Sequence, residues 1–260
     1  HWRERGGLLY GAAQYPGRSI VLLVVWESIV RIFDIRRFVL LAPTKIVSEL
    51  ADDPGAYWGN TVVIARHMIV GLSISLAIAL VIGSIMAASR FIEEAAQPVL
   101  VVILVTPWVA YMTSVVIWLD FGERPIIFLV AFTSFPVFTF GVVGGMRSAD
   151  PSARELLASV DASKWEVLWR LRLPSALPSI FTTARFAIAL ALAAAYFAEG
   201  SALEQKGLGV IGRRASLDQT TGAEVLWTTI FCTAALGIVG LAVMSVAERT
   251  LLRWHASQRT

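Results

Sequence analysis

The sequence predicts an all-α membrane protein of six transmembrane helices, with a charged helix-turn-helix inserted between the fourth and fifth. Three observations carry that expectation. Hydrophobic residues make up 57% of the 260-residue chain and charged residues only 16%, against about 25% charge in a soluble domain; mean hydropathy is +0.69. Four runs contain no charge at all: Met68–Ser89, Pro98–Leu119, Pro125–Met146 and Val225–Ala247, each 22 or 23 residues long. At about 1.5 Å per residue each is roughly 33 Å of helix, enough to cross a hydrocarbon core of about 30 Å. The third observation is the stretch Asp150–Ala184, DPSARELLASVDASKWEVLWRLRLPSALPSIFTTA, which is charged, broken by turn signals and followed directly by apolar sequence.

In chain order, residues 1–18 read as a polar N-terminal segment in which Arg3 and Arg5 precede Gly6 without a signal-peptide pattern. The start at His1 leaves the true N-terminus open. Residues 19–254 read as one transmembrane domain and 255–260 as a tail. Ser19–Phe33 is the weakest span, because Glu27 and Arg31 stand at i,i+4 and pair on one helix face; an interfacial helix is the alternative. Pro43-Thr44 begins a short helix through Leu50, Asp53-Pro54-Gly55 reads as a turn, and the next helix is expected from near Thr61 to Ala88. Along it Gly71, Ser75, Ala79, Gly83 and Ala87 recur at i+4, a small-residue stripe that lets another helix backbone approach. Arg66 near its start can snorkel to the interface.

Arg90–Gln97 reads as a charged link. Pro107 in the following span is expected to kink it near its middle. Pro136, beside Thr133 and Ser134, does the same in the next, so Pro107, Thr133, Ser134 and Pro136 are candidates for lining a translocation pathway. Proline tolerance in membrane helices is the plain alternative. Ile180–Ala198 is a shorter fifth span, Glu199–Glu224 a glycine-rich link, and Val225–Ala247 the last span.

The hairpin, residues 147–178, carries its own start and stop signals. Asp150-Pro151 opens the first helix, Asp161-Ala162 interrupts it, and Ser163 with Glu166 forms a capping box. The second helix holds Trp165 and Trp169 among Lys164, Arg170 and Arg172 until Pro174 and Pro178 halt or redirect it. Such a helix lies in the headgroup layer or fills a groove on a partner protein. Two capped helices exceed what an anchor needs, which favours a mechanical contact.

Other chemistry is poorly supported. The net charge of +3 is spread over many links, so nucleic acid is not an expected partner. Cys232 is alone and excludes an internal disulfide. His1, His67 and His255 lack metal-ligand spacing, so no metal is expected. Gly207, Gly209 and Gly212 spell G-x-G-x-x-G, but no strand precedes them as dinucleotide binding requires; they suit a tight outer turn. No phosphate-binding loop is present, so no cofactor is expected in this chain and ATP hydrolysis has to come from another.

The hairpin resembles the cytoplasmic "EAA" loop of inner-membrane permease subunits of ABC importers: E-A-A, three residues, G, nine residues, I, any residue, L-P. Glu155 matches the glutamate, Leu156-Leu157 replace the alanines, Asp161 stands at the glycine, Leu171 at the isoleucine, and Leu173-Pro174 closes the pattern. Residues 161–178 are most similar to the nitrate/sulfonate/taurine branch. So are Leu41-Ala-Pro-Thr44, Thr106-Pro-Trp-Val-Ala110, Trp118-Leu-Asp-Phe-Gly122, Ala198-Glu199 and Gly207-Leu-Gly209, and the resemblance spans roughly residues 20–254.

The resemblance implies a type I importer permease that is not itself an enzyme, in a bacterial inner membrane. Its loop would couple to an ATPase subunit through Glu155, Asp161, Ala162, Ser163, Trp165, Leu173 and Pro174. The implied partners are two ATPase subunits that bind ATP and Mg, a second permease subunit, an extracytoplasmic solute-binding protein and membrane lipid. Sulfonate, taurine, nitrate or a similar nutrient is the implied solute, with a vitamin precursor, or a secondary transporter without an ATPase, as alternatives. Six spans place both termini on the hairpin's side. That side holds twelve Arg/Lys (residues 3, 5, 18, 90, 147, 154, 164, 170, 172, 249, 253 and 259) against eight on the other (31, 36, 37, 45, 124, 206, 213 and 214), which favours cytoplasmic ends.

Overall fold

The computed structural model describes residues 16–202, 204–218, 220 and 222–252. The sequence-based expectations for His1, Arg3, Arg5, Arg253, His255, Arg259 and the side chain of Arg18 lie outside it. The helices are α1 (Pro16–Ile32), α2 (Pro43–Asp52), α3 (Pro54–Ala88), α4 (Arg90–Val105), α5 (Trp108–Leu119), α6 (Glu123–Arg147), α7 (Pro151–Ser159), α8 (Lys164–Val167), α9 (Leu173–Ser201), α10 (Leu208–Leu217) and α11 (Gly222–Leu251), with a π-helical turn at Leu168–Arg172.

Two packing registers define the bundle. A Cβ on Gly71 of α3 would meet Val130 of α6, and one on Gly83 would lie 2.7 Å from Val142 Cγ1. Both numbers rise together, so α3 and α6 run parallel. Gly141 of α6 faces Thr183 of α9 while Gly145 faces Ala176, so α9 runs antiparallel to α6. Two parallel neighbours need a return crossing between them, which α4 and α5 supply. Their ends agree: Arg147 pairs with Glu93 at one end, and the Gly122 amide donates to the Ala202 carbonyl at the other (3.1 Å). In the stripe, Gly71, Ser75, Ala79 and Gly83 are buried and Ala87 is half-buried. Outward faces stay apolar, as on α11 at Ile238, Val239 and Val243, and suit lipid.

Several expectations need correction. α3, α6, α11 and the continuous helix Lys164–Ser201 are long and apolar enough to cross a membrane, and α4 with α5 makes a fifth crossing bent by 94°. The described part of α1 has 17 residues, about 25 Å of helix, and its side chains from Ile20 to Val25 are exposed and apolar. The kink expected at Pro107 is a break of 94° between α4 and α5. Thr106 is extended (ψ 122°), because a residue preceding proline is disfavoured in the α region, and Pro107 is extended as well (ψ 107°).

Arg90–Gln97 belongs to α4, whose N-terminus Ser89 caps through the Ile92 amide. α3 starts at Pro54 rather than near Thr61, since Asp53 accepts from the Ala56 amide (3.0 Å) and Pro54 suits the first helical position. Pro174 and Pro178 do not stop the hairpin's second helix. The π turn widens the backbone just before Pro174, where a proline ring would otherwise crowd the preceding turn. The Glu199–Glu224 link contains α10, with Leu208, Val210 and Ala215 buried.

Candidate functional site

α7 begins where Asp150 Oδ1 accepts from the Ser152 amide (3.0 Å) and hydroxyl (2.6 Å). Those two donors hold the Asp150 carboxyl below the usual carboxylate range. The turn that closes α7 has Asp161 at φ +52°. The Ala162 amide donates to Leu157 O (3.0 Å) and the Asp161 amide to Ala158 O (3.2 Å). This is a Schellman closure with Asp161 at the left-handed position that usually holds glycine. Aspartate tolerates that conformation better than most residues, at some cost.

The chain then reverses into the Ser163–Glu166 capping box. Ser163 Oγ accepts the Glu166 amide (3.2 Å), and Glu166 Oε2 accepts the Ser163 amide (3.0 Å). The box fixes the first turn of α8, which presents Trp165 and Trp169 with ring centroids 5.7 Å apart. Trp165 is 66% exposed, Trp169 57%, Leu156 67% and Val160 67%. Both arms of the hairpin thus leave large apolar side chains open. Glu155, Asp161 and Ser163 are exposed at its edge and Ala162, Leu173 and Pro174 half-buried at its base.

Asp161→Gly is expected to raise stability by about 1 kcal/mol, because glycine adopts the left-handed region without a Cβ penalty. ATP-driven uptake should be kept or improved. A higher unfolding midpoint with intact transport checks this; loss of transport would show that the carboxylate itself has a partner.

The pathway candidates stand on two elements. Pro107 is exposed at the α4–α5 bend, whereas Thr133, Ser134 and Pro136 are buried on α6. The bend instead opens an apolar cavity of about 440 Å³ lined by Thr106, Tyr111, Trp118, Phe128 and Phe132.

A second constellation was not foreseen as a unit. Glu199, near the end of α9, is fully buried: Oε1 lies 2.8 Å from His67 Nδ1 and Oε2 accepts the Gly209 amide (3.0 Å). Asn60 Oδ1 accepts the Gly207 amide (2.5 Å), and Gly207 has φ +135°, a conformation that needs glycine. Glu199 and Asn60 thus tie α10 to α9 and α3. Glu199 and the Gly-Leu-Gly segment were visible in sequence; His67, a lone histidine at the edge of an apolar run, was the missed signal. Among the described residues no three His, Cys, Asp or Glu side chains converge as a metal site would require.

Residues 79–253 match the family described as "binding-protein-dependent transport system inner membrane component". The chain belongs to this family. The permease is 28% identical to the formylaminopyrimidine transport permease protein ThiX of Halalkalibacterium halodurans, covering 92% of this chain and 94% of that one. It is 24% identical to the taurine transport system permease protein TauC of Escherichia coli, covering 92% and 88%. It is 27% identical to the riboflavin transport system permease protein RibX of Chloroflexus aurantiacus, covering 93% and 90%. It is therefore an inner-membrane permease subunit of a binding-protein-dependent ABC importer of a small solute. As a transport component it is not an enzyme, and membership disfavours a secondary carrier.

Proposed function

We propose that the permease couples ATP hydrolysis in a separate ATPase pair to solute import through the hairpin 147–178. The exposed Trp165–Trp169 pair at the base of a 38-residue helix carries this reading. An aromatic pair is a good anchor for a groove on a partner, and here it is fused to a membrane span. ATP and Mg sit on the ATPase subunits, and two permease subunits, as identical copies, form the path within residues 19–254. The hairpin and both termini face the cytoplasm, with α1 as the sixth crossing and Arg90, Arg147, Arg154, Lys164, Arg170 and Arg172 grouped on that side. The solute-binding protein docks on the opposite face, formed by the Asp34–Leu40, Asp120–Gly122 and Glu204–Asp218 regions.

The solute is a small sulfonate, taurine, nitrate or a related nutrient. The likeness to formylaminopyrimidine and riboflavin permeases favours a second reading, a heteroaromatic vitamin or its precursor. Trp165→Asp should abolish co-purification of the ATPase and ATP-driven uptake while leaving membrane insertion and unfolding temperature unchanged. Normal complex yield and uptake would refute the contact.

A further inference from the structure

Where the hairpin meets the bundle lies a polar cleft of about 310 Å³. Arg90, Arg147, Arg154 and Arg172 line it above an apolar floor of Met146 and Leu171. No carboxylate is among its lining residues. Three of the arginines have internal roles. Arg90 Nε lies 3.0 Å from Glu94 Oε1, Arg147 pairs with Glu93, and Arg172 Nη1 donates to the Ala87 carbonyl (3.3 Å) at the end of α3. Arg147 also stands at the C-terminus of α6, and Arg172 reaches the C-terminus of α3, where a cation is favoured.

Arg154 has no such account. It is exposed, its amide donates to the Asp150 carbonyl (3.1 Å) but its side chain forms no ion pair or hydrogen bond among the described residues, and it sits in the first turn of α7, where the helix dipole disfavours a cation. Four guanidinium groups against two carboxylate partners leave an excess of two positive charges around one enclosed space. The planar, forked donors of arginine match phosphate oxygens in particular.

We propose that this cleft binds a phosphate oxyanion, supplied by the headgroup of an anionic phospholipid or by soluble phosphate, which joins the hairpin to the ends of α3 and α6. Arg154 and Arg172 hold it from the hairpin side, Arg90 and Arg147 from the bundle. The site is separate from the ATPase-facing tryptophans and does not depend on them.

The test uses the full chain with its retained partners, in nanodiscs of phosphatidylcholine alone or mixed with phosphatidylglycerol. Lipids retained by the protein are counted by native mass spectrometry. Inorganic phosphate is titrated separately in phosphatidylcholine discs, with the unfolding midpoint as readout. Wild type is compared with Arg154→Gln, with Arg172→Gln, and with Arg214→Gln at the opposite end of the bundle as a control. Selective retention of phosphatidylglycerol, reduced about tenfold by either cleft variant, as loss of one charge-assisted hydrogen bond would give, and untouched by Arg214→Gln, identifies a lipid site. A midpoint raised by phosphate in wild type and in Arg214→Gln but not in the cleft variants, without lipid selectivity, identifies a soluble anion. If neither lipid nor phosphate distinguishes wild type from Arg154→Gln, the proposal is wrong.

Discussion

Glu199→Ala is expected to destabilise the permease by about 2–6 kcal/mol, because two buried groups lose their hydrogen-bond partner at about 1–3 kcal/mol each. The His67 and Glu199 side chains are 1% and 0% exposed, so no water replaces the lost partner. The Gly209 amide loses its acceptor at the same time. α10 should loosen from the bundle before the rest unfolds, so hydrogen exchange of the α10 amides is the sensitive readout beside thermal unfolding. Glu199→Gln keeps the shape and an oxygen for the Gly209 amide and should recover part of the loss. An unfolding midpoint unchanged in Glu199→Ala would mean that His67 and Glu199 are not paired in the membrane.

Gly145→Val should be nearly as damaging, at the upper end of the roughly 1–3 kcal/mol that overpacking costs. A Cβ at Gly145 would lie 2.6 Å from the Ala176 Cα, 3.0 Å from its carbonyl oxygen and 2.9 Å from Ser179 Cβ. Main-chain atoms of α9 cannot swing aside as a flexible side chain can, so α6 and α9 must separate. The neighbouring Gly144 provides the control, because nothing stands within 4 Å of a Cβ there. Gly144→Ala should leave stability unchanged or slightly raised through better helix propensity. Equal unfolding midpoints for Gly145→Val and Gly144→Ala would contradict the close approach of α6 and α9.

Charge-free runs revealed four crossings because length and hydrophobicity together leave a membrane helix few alternatives. The local signals Asp150-Pro151 and Ser163/Glu166 were equally legible, since a cap is made by residues within a few positions of one another. The failures have a common cause. How far Pro107 bends a span depends on contacts distant in sequence: just after the bend Trp108 meets Phe197 and Tyr111 meets Phe132, each from another helix. Pro174 looked like a stop because the π turn that accommodates it has no composition of its own. His67 and Glu199 lie 132 positions apart, and no local spacing announces such a contact. Asp161 is intermediate: the glycine expected from the family marks the left-handed turn, but only the φ of +52° shows that aspartate adopts it.

The π turn has one more effect. Because it lets the helix run on through Pro174, Lys164–Ser201 is a single strut, about 55 Å long at about 1.5 Å per residue. It has Trp165 at one tip and Glu199 close to the other. Under the proposed coupling, a tilt imposed at the tryptophans would be carried along this helix towards the far face of the membrane, where Glu199 holds α10 through the Gly209 amide. The close contacts at Gly141 and Gly145 would make α6 the surface on which it turns.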